Sequence, residues 1–202
     1  MLDHSRRTLT SWARLYLGDL QHEQRVWEIA QDLVRACSPV LRLTSDQVEL
    51  LRWGITVHDV GRSIADKGHA RLGENLLANA SELPLTSAQR RWLRYLIRYH
   101  RGPVPDVGRD RILQPSDDIR AVRTVLAILR AADALDNRST ITPPRIKISL
   151  REQSLRVECS FGDITSKTLR TLMRKKKFRL LEDVLGCRVQ MVVRQNNLLL
   201  SR

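Results

Sequence analysis

Cysteine is scarce in this 202-residue chain: Cys37, Cys159 and Cys187 are odd in number and widely spaced. A disulfide framework and a thiolate zinc knuckle are thereby excluded, and the three thiols read as buried or incidental. Glycine (9) and proline (7) are also few, while 42% of residues are hydrophobic, which excludes a low-complexity chain and favours a folded, mainly helical one. No stretch approaches the roughly 18 uninterrupted apolar residues of a membrane span. The N-terminus carries charges where a signal peptide needs its apolar segment, so a cytoplasmic protein with no membrane partner is expected. Aromatic residues make up 4%, and no stacking pattern accompanies the charged runs. Trp12, Trp27, Trp53 and Trp92 read as core or interface anchors.

Acidic residues are in short supply too, and unevenly so. The net charge is +13; residues 1–142 hold 21 Lys/Arg against 17 Asp/Glu, whereas residues 143–202 hold 14 against 5. The C-terminal part is the electrostatic outlier. Its densest run, Arg174-Lys175-Lys176-Lys177 with Arg179, either attracts phosphates of nucleotides, polyphosphate or RNA, or is a solvated helix face.

What the chain does contain is a spaced series of histidines and aspartates on apolar stripes. His22 precedes Val26, Ile29 and Leu33 at helical spacing; Val48, Leu51, Ile55 and His58 share a face; so do Leu93, Leu96, Ile97 and His100, and Leu126, Leu129 and Asp133. Burying four such faces against one another gathers the polar residues at one end of a common core. An imidazole or carboxylate is expensive to bury there unless a metal or another charge satisfies it.

Helices are expected over residues 5–17, 22–36, a segment capped by Thr44-Ser45-Asp46 and ending at His58, 69–80, a segment capped by Thr86 or Ser87 and reaching Tyr99, and one opened by Asp117-Asp118 that carries Asp133. Residues 102–115 read as a loop that covers the candidate site or admits substrate. After Pro143-Pro144 the period changes. Ile146, Ile148 and Leu150 alternate, then Leu155, Val157 and Cys159, which reads as a hairpin followed by a basic helix over 166–185 and a last strand over 188–199.

His22, the doublet His58-Asp59 and Asp133 resemble the H…HD…D signature of the HD-domain metal-dependent phosphohydrolases. His58-Asp59-Val60-Gly61-Arg62 is similar to the HDIGK segment of the HD-GYP branch, with arginine in place of lysine, and His69-Ala70-Arg71-Leu72-Gly73 resembles its H-x-x-x-G segment. A longer likeness runs from about His22 to the C-terminus. Leu96 to Arg101, Leu129 to Asp136, Thr142-Pro143-Pro144 and the stretch from Phe178 to Val189 are similar to the C-terminal HD region of the exopolyphosphatase/guanosine pentaphosphate phosphatase (Ppx/GppA) family. Members of that family carry an N-terminal actin-like phosphatase domain that this sequence lacks.

The resemblance implies an HD-type helical bundle over residues 1–142 and a small basic α+β appendage over 143–202. It implies metal ligands at His22, His58, Asp59 and Asp133, with His69 and His100 binding a second metal or a phosphate; Asp136, nearly one turn after Asp133, is the alternative ligand there. His58 and Asp59 are the expected catalytic pair. One or two divalent ions (iron, manganese or zinc) would activate water and neutralise phosphate charge. Arg62 and Arg101, then Lys67 and Arg138, are the candidate phosphate contacts, against a reading as surface ion pairs. The expected activity is hydrolysis of a nucleotide or other phosphorylated metabolite. The alternative is a non-catalytic module that binds nucleotide, polyphosphate or RNA, or docks onto a separate phosphatase subunit. A homodimer is a further expectation.

Overall fold

The computed structural model describes residues 2–136, 144–151, 154–162, 165, 169–170, 173, 175–195 and 198–201, and for 2–6, 175, 195 and 198–201 the backbone alone. Six helices come first: α1 (Leu2–Leu17), α2 (Gln21–Cys37), α3 (Ser45–Val57), α4 (His69–Asn79), α5 (Ser87–Tyr99) and α6 (Ile119–Leu135), with a 3-10 turn at Val60–Ser63 between α3 and α4. Strands β1 (Arg145–Arg151) and β2 (Ser154–Phe161) follow, then a 3-10 turn at Lys175–Lys177, helix α7 (Arg179–Leu185), and strands β3 (Arg188–Gln195) and β4 (Leu198–Ser201). The chain is mainly α with a small C-terminal α+β layer, as the periodicities require. No helix among the described residues is long and apolar enough to cross a membrane.

Local chemistry sets the helix starts. Thr44 and Thr86 each close a capping box, accepting from the backbone N–H of Gln47 and Gln89 while those side chains accept from the threonine N–H. Asp118 accepts from the Ala121 N–H at the start of α6. Its neighbour Asp117, expected to share that role, is instead buried between both arms of Arg91 and the indole N–H of Trp92.

Two compact units divide the chain, residues 1–24 with 44–129, and residues 25–43 with 130–202; the boundaries fall within α2, just before α3 and within α6. In the first unit α4 packs on α5 and on the 3-10 turn, and α1 on α3 and the same turn, around Leu9, Trp12, Leu51, Ile55, Leu93, Leu96 and Leu126. The second unit contains one sheet in the order β1-β2-β3-β4, antiparallel, parallel, antiparallel. The hairpin is present as expected. The single last strand is in fact two, β3 and β4, which pair with each other; of the expected long basic helix, the described residues show helical Leu169 and Arg170, the 3-10 turn and the short α7. Leu155, Val157, Cys159, Val189, Met191 and Val193 are buried with Phe178, Leu181 and Leu185. Cys37 and Cys159 are both buried; burial pushes both thiols up to about 12, and the three cysteines are free.

Candidate metal centre

Helix ends build the site. His58 and His100 stand at the C-caps of α3 and α5, His69 opens α4, and His22 lies in the first turn of α2. A helix C-terminus leaves carbonyl oxygens without intrahelical partners. Here the Nδ1–H groups of His58 and His100 donate to the carbonyls of Ile55 and Ile97, each at 2.7 Å, and that of His69 to Asp66, also at 2.7 Å. With Nδ1 carrying the proton, the Nε2 lone pair of each ring is left to bind a cation.

Those Nε2 atoms converge on Asp59. Its Oδ1 lies 3.2 Å from His69 Nε2 and 3.4 Å from His100 Nε2, while Oδ2 lies 3.7 Å from His58 Nε2 and 3.9 Å from His22 Nε2. One carboxylate thus faces two pairs of imidazoles through its two oxygens. His69 Nε2 and His100 Nε2 are themselves 3.1 Å apart. Two lone pairs and an anionic oxygen at such separations repel unless a proton or a metal ion sits among them. The six side chains His22, Glu23, His58, Asp59, His69 and His100 are all at least nine-tenths buried. Burial pushes the Asp59 carboxyl up, but the imidazoles of His58, His100 and His69 facing it outweigh burial and hold the group well below the usual carboxylate range.

Close backbone approach makes this convergence sterically feasible. A Cβ on Gly61 would lie 2.1 Å from the His69 carbonyl oxygen and 2.4 Å from the Gly73 nitrogen, and one on Gly73 would press on Gly61 and Ile97. The glycines of the His58–Arg62 and His69–Gly73 segments therefore touch, which lets the start of α4 carry His69 to Asp59.

Two overlapping donor groups result, His22, Glu23, His58 and Asp59, and Asp59, His69 and His100, with the ligand atoms of each group within 4.8 Å of one another. Imidazole nitrogens and carboxylate oxygens without a thiolate suit divalent first-row ions, so the cluster can hold a metal ion. Five of the six sequence-derived ligands are brought together. The sixth, Asp133, lies in the last turn of α6 in the second unit and is buried; Asp136, also buried, accepts from Arg25 Nε at 2.9 Å, an ion pair within that same unit. Glu23 was not anticipated. It heads the series Val26, Ala30, Leu33 and Cys37 at spacings of three, four, three and four, all buried, and that series was the signal for it.

Arg62 donates from Nε to Asp59 Oδ2 at 2.7 Å and from Nη1 to Asp66. It braces the shared carboxylate. Lys67 and Arg101 are exposed, and Arg138 lies outside the described residues.

A mainly helical chain whose helix ends gather imidazoles around one buried carboxylate belongs to the class of helical proteins with a metal-competent core site. A family model described as Ppx/GppA phosphatase, domain III, matches residues 5–175. The chain belongs to that family and is a phosphatase-related module.

Proposed function

We propose that the chain is a metal-dependent phosphohydrolase of the HD type, acting on a nucleotide or another phosphorylated metabolite. The observation that carries this reading is the division of Asp59 between two histidine pairs, with three of the four rings held by backbone carbonyls in the tautomer a metal ligand needs. Membership of a phosphatase-related family supports a phosphorylated substrate.

In this reading His22, Glu23, His58 and Asp59 would hold one divalent ion, and Asp59, His69 and His100 a second. Bound there, such ions activate water at neutral pH and neutralise phosphate charge. Arg62 keeps Asp59 oriented through its Nε–H. Arg101, next to His100, and Lys67, two residues before His69, are exposed cations able to meet substrate phosphate oxygens. The carbonyls of Ile55, Asp66 and Ile97 keep the Nδ1 protons in place, so the rings neither rotate nor change tautomer during turnover.

Elemental analysis of freshly purified protein, combined with a panel of nucleotides and phosphate esters, tests the proposal. About two transition-metal ions per chain and metal-dependent release of phosphate are expected. Asp59→Asn should lose both metal and turnover, and Arg62→Gln about 10–100-fold in activity. A folded Asp59→Asn protein that kept its metal and its rate would refute the assignment.

A further inference from the structure

The sheet of the second unit has one apolar face and one basic face. Strand alternation places Ile146, Ile148 and Leu150 with the buried Leu155, Val157, Cys159, Val189, Met191 and Val193. The opposite face receives Arg145, Lys147, Ser149 and Arg151 from β1, Ser154, Arg156, Glu158 and Ser160 from β2, and Arg188, Gln190, Val192 and Arg194 from β3. That face carries six cations and, among the described residues, a single carboxylate. Glu158 pairs with Arg156 at 2.8 Å and Arg194 at 3.3 Å, and the Arg156 hydrogen bond keeps it ionised. Arg145, Lys147, Arg151, Arg188 and Arg194 are exposed, and only Val192 on this face is buried.

Register orders the charges. Arg145, Ser160 and Arg194 lie in one row across β1, β2 and β3, and Arg151, Ser154 and Arg188 in another. Each row is an arginine pair flanking a serine, its outer strands about 10 Å apart, and the six-residue step along β1 separates the rows by about 20 Å. Guanidinium forks beside a hydroxyl are phosphate-binding chemistry, and two such rows form a grid rather than a line.

We infer that this basic sheet face binds the phosphate backbone of a nucleic-acid duplex. Single strands are held chiefly by bases stacked on aromatic side chains, and the β1, β2 and β3 residues of this face include none. A duplex offers phosphates instead, about one charge per 1.7 Å of axis, so 20 Å of duplex presents more phosphates than the face has cations. Contacts of this kind position a duplex without reading its sequence. None of its residues belongs to the Lys175–Lys177 turn or to the histidine centre.

Fluorescence anisotropy with a labelled duplex of about 20 base pairs, as RNA and as DNA, between about 50 and 200 mM salt tests the inference. The full chain should bind at least one of the two, RNA or DNA, the better-bound one naming the natural source. Arg145→Gln/Lys147→Gln/Arg151→Gln/Arg188→Gln should flatten the logarithmic salt slope by about 3.6, so that wild-type affinity falls about 150-fold more than the variant's across that range. The milder Arg151→Gln/Arg188→Gln should flatten it by about 1.8, and Arg151→Lys/Arg188→Lys should keep the wild-type slope. An unchanged slope in either folded glutamine variant overturns the inference. So does a loss of slope confined to Lys175→Gln/Lys176→Gln/Lys177→Gln, or binding only to single strands, linear polyphosphate or phosphatidylserine vesicles.

Discussion

At the scale of single residues, the site is a problem of buried polarity solved by helix ends. The carbonyls of Ile55 and Ile97 need donors, the imidazoles of His58 and His100 need fixed tautomers, and one hydrogen bond answers both needs. The histidines and aspartates were legible in the sequence because they interrupt apolar stripes. Glu23 was not, because Ile29 was read into the stripe of α2 in place of Ala30; Ile29 is half-buried, whereas Ala30 is fully buried. Gly61 offers the sharpest test at this scale. Gly61→Ala sets a methyl group against the backbone of His69 and Gly73, which no side-chain rotation relieves. A loss of about 3 kcal/mol in urea unfolding is expected, together with loss of the metal that His69 would hold under the proposed function.

At the scale of elements, the helix starts followed from the sequence with little error, because a capping box is a local contract between residues three apart. The ends of the C-terminal elements did not. A single strand over 188–199 and the strand pair β3 and β4 share one alternation, and only the pairing of Val192 with Ser201 and Arg194 with Leu199 distinguishes them. The segment between His100 and α6 was expected to be a loop and has no regular structure. It is tied down through Asp117, which accepts from Arg91, Trp92 and the Gln114 N–H, and through the Pro105 carbonyl, which accepts from Arg123. The Arg91 hydrogen bonds, opposed by burial and aided by Gln114 and Trp92, lower the Asp117 carboxyl below its ordinary value. A lowered folded-state value means the unfolded chain binds this proton more tightly, so the contribution is complete above the unfolded value near about 4 and is lost as pH falls through the folded one. Asp117→Asn should therefore lower thermal stability at pH 7 and flatten the acid limb of the stability profile below about pH 4. An acid limb of unchanged steepness in the variant would place that pH dependence elsewhere.

For the whole molecule, ion binding and folding are linked. A centre assembled from the starts of α2 and α4 and the ends of α3 and α5 has no counterpart in the unfolded chain, so an ion bound there stabilises the fold. At about 100 times its dissociation constant the ion should contribute about 2.7 kcal/mol per site, or about 5–10 °C in Tm. Calorimetry before and after chelation measures that shift, and Asp59→Asn should show none. The charge asymmetry also acts at this scale. The excess of basic residues after position 142 was plain in composition, but composition assigned it to the Arg174–Lys177 run, whereas strand register gathers most of the described cations on one sheet face.

By itself, the sequence determined helices α1 to α6 and their starts, the alternation of β1 and β2, most of the apolar face of these elements, and the candidate donors His22, His58, Asp59, His69 and His100. All of these follow from periods of 3.6 and 2 and from hydrogen bonds between near neighbours. Only the tertiary structure decided that Asp59 divides its oxygens between two histidine pairs, that Gly61 and Gly73 meet, that Glu23 joins the cluster, and that Arg145 and Arg151 share rows with Arg194 and Arg188. Each of these joins residues many positions apart, and backbone periodicity fixes the direction of a side chain without fixing what lies opposite. That is settled by how the helices close on one another and by which strands pair.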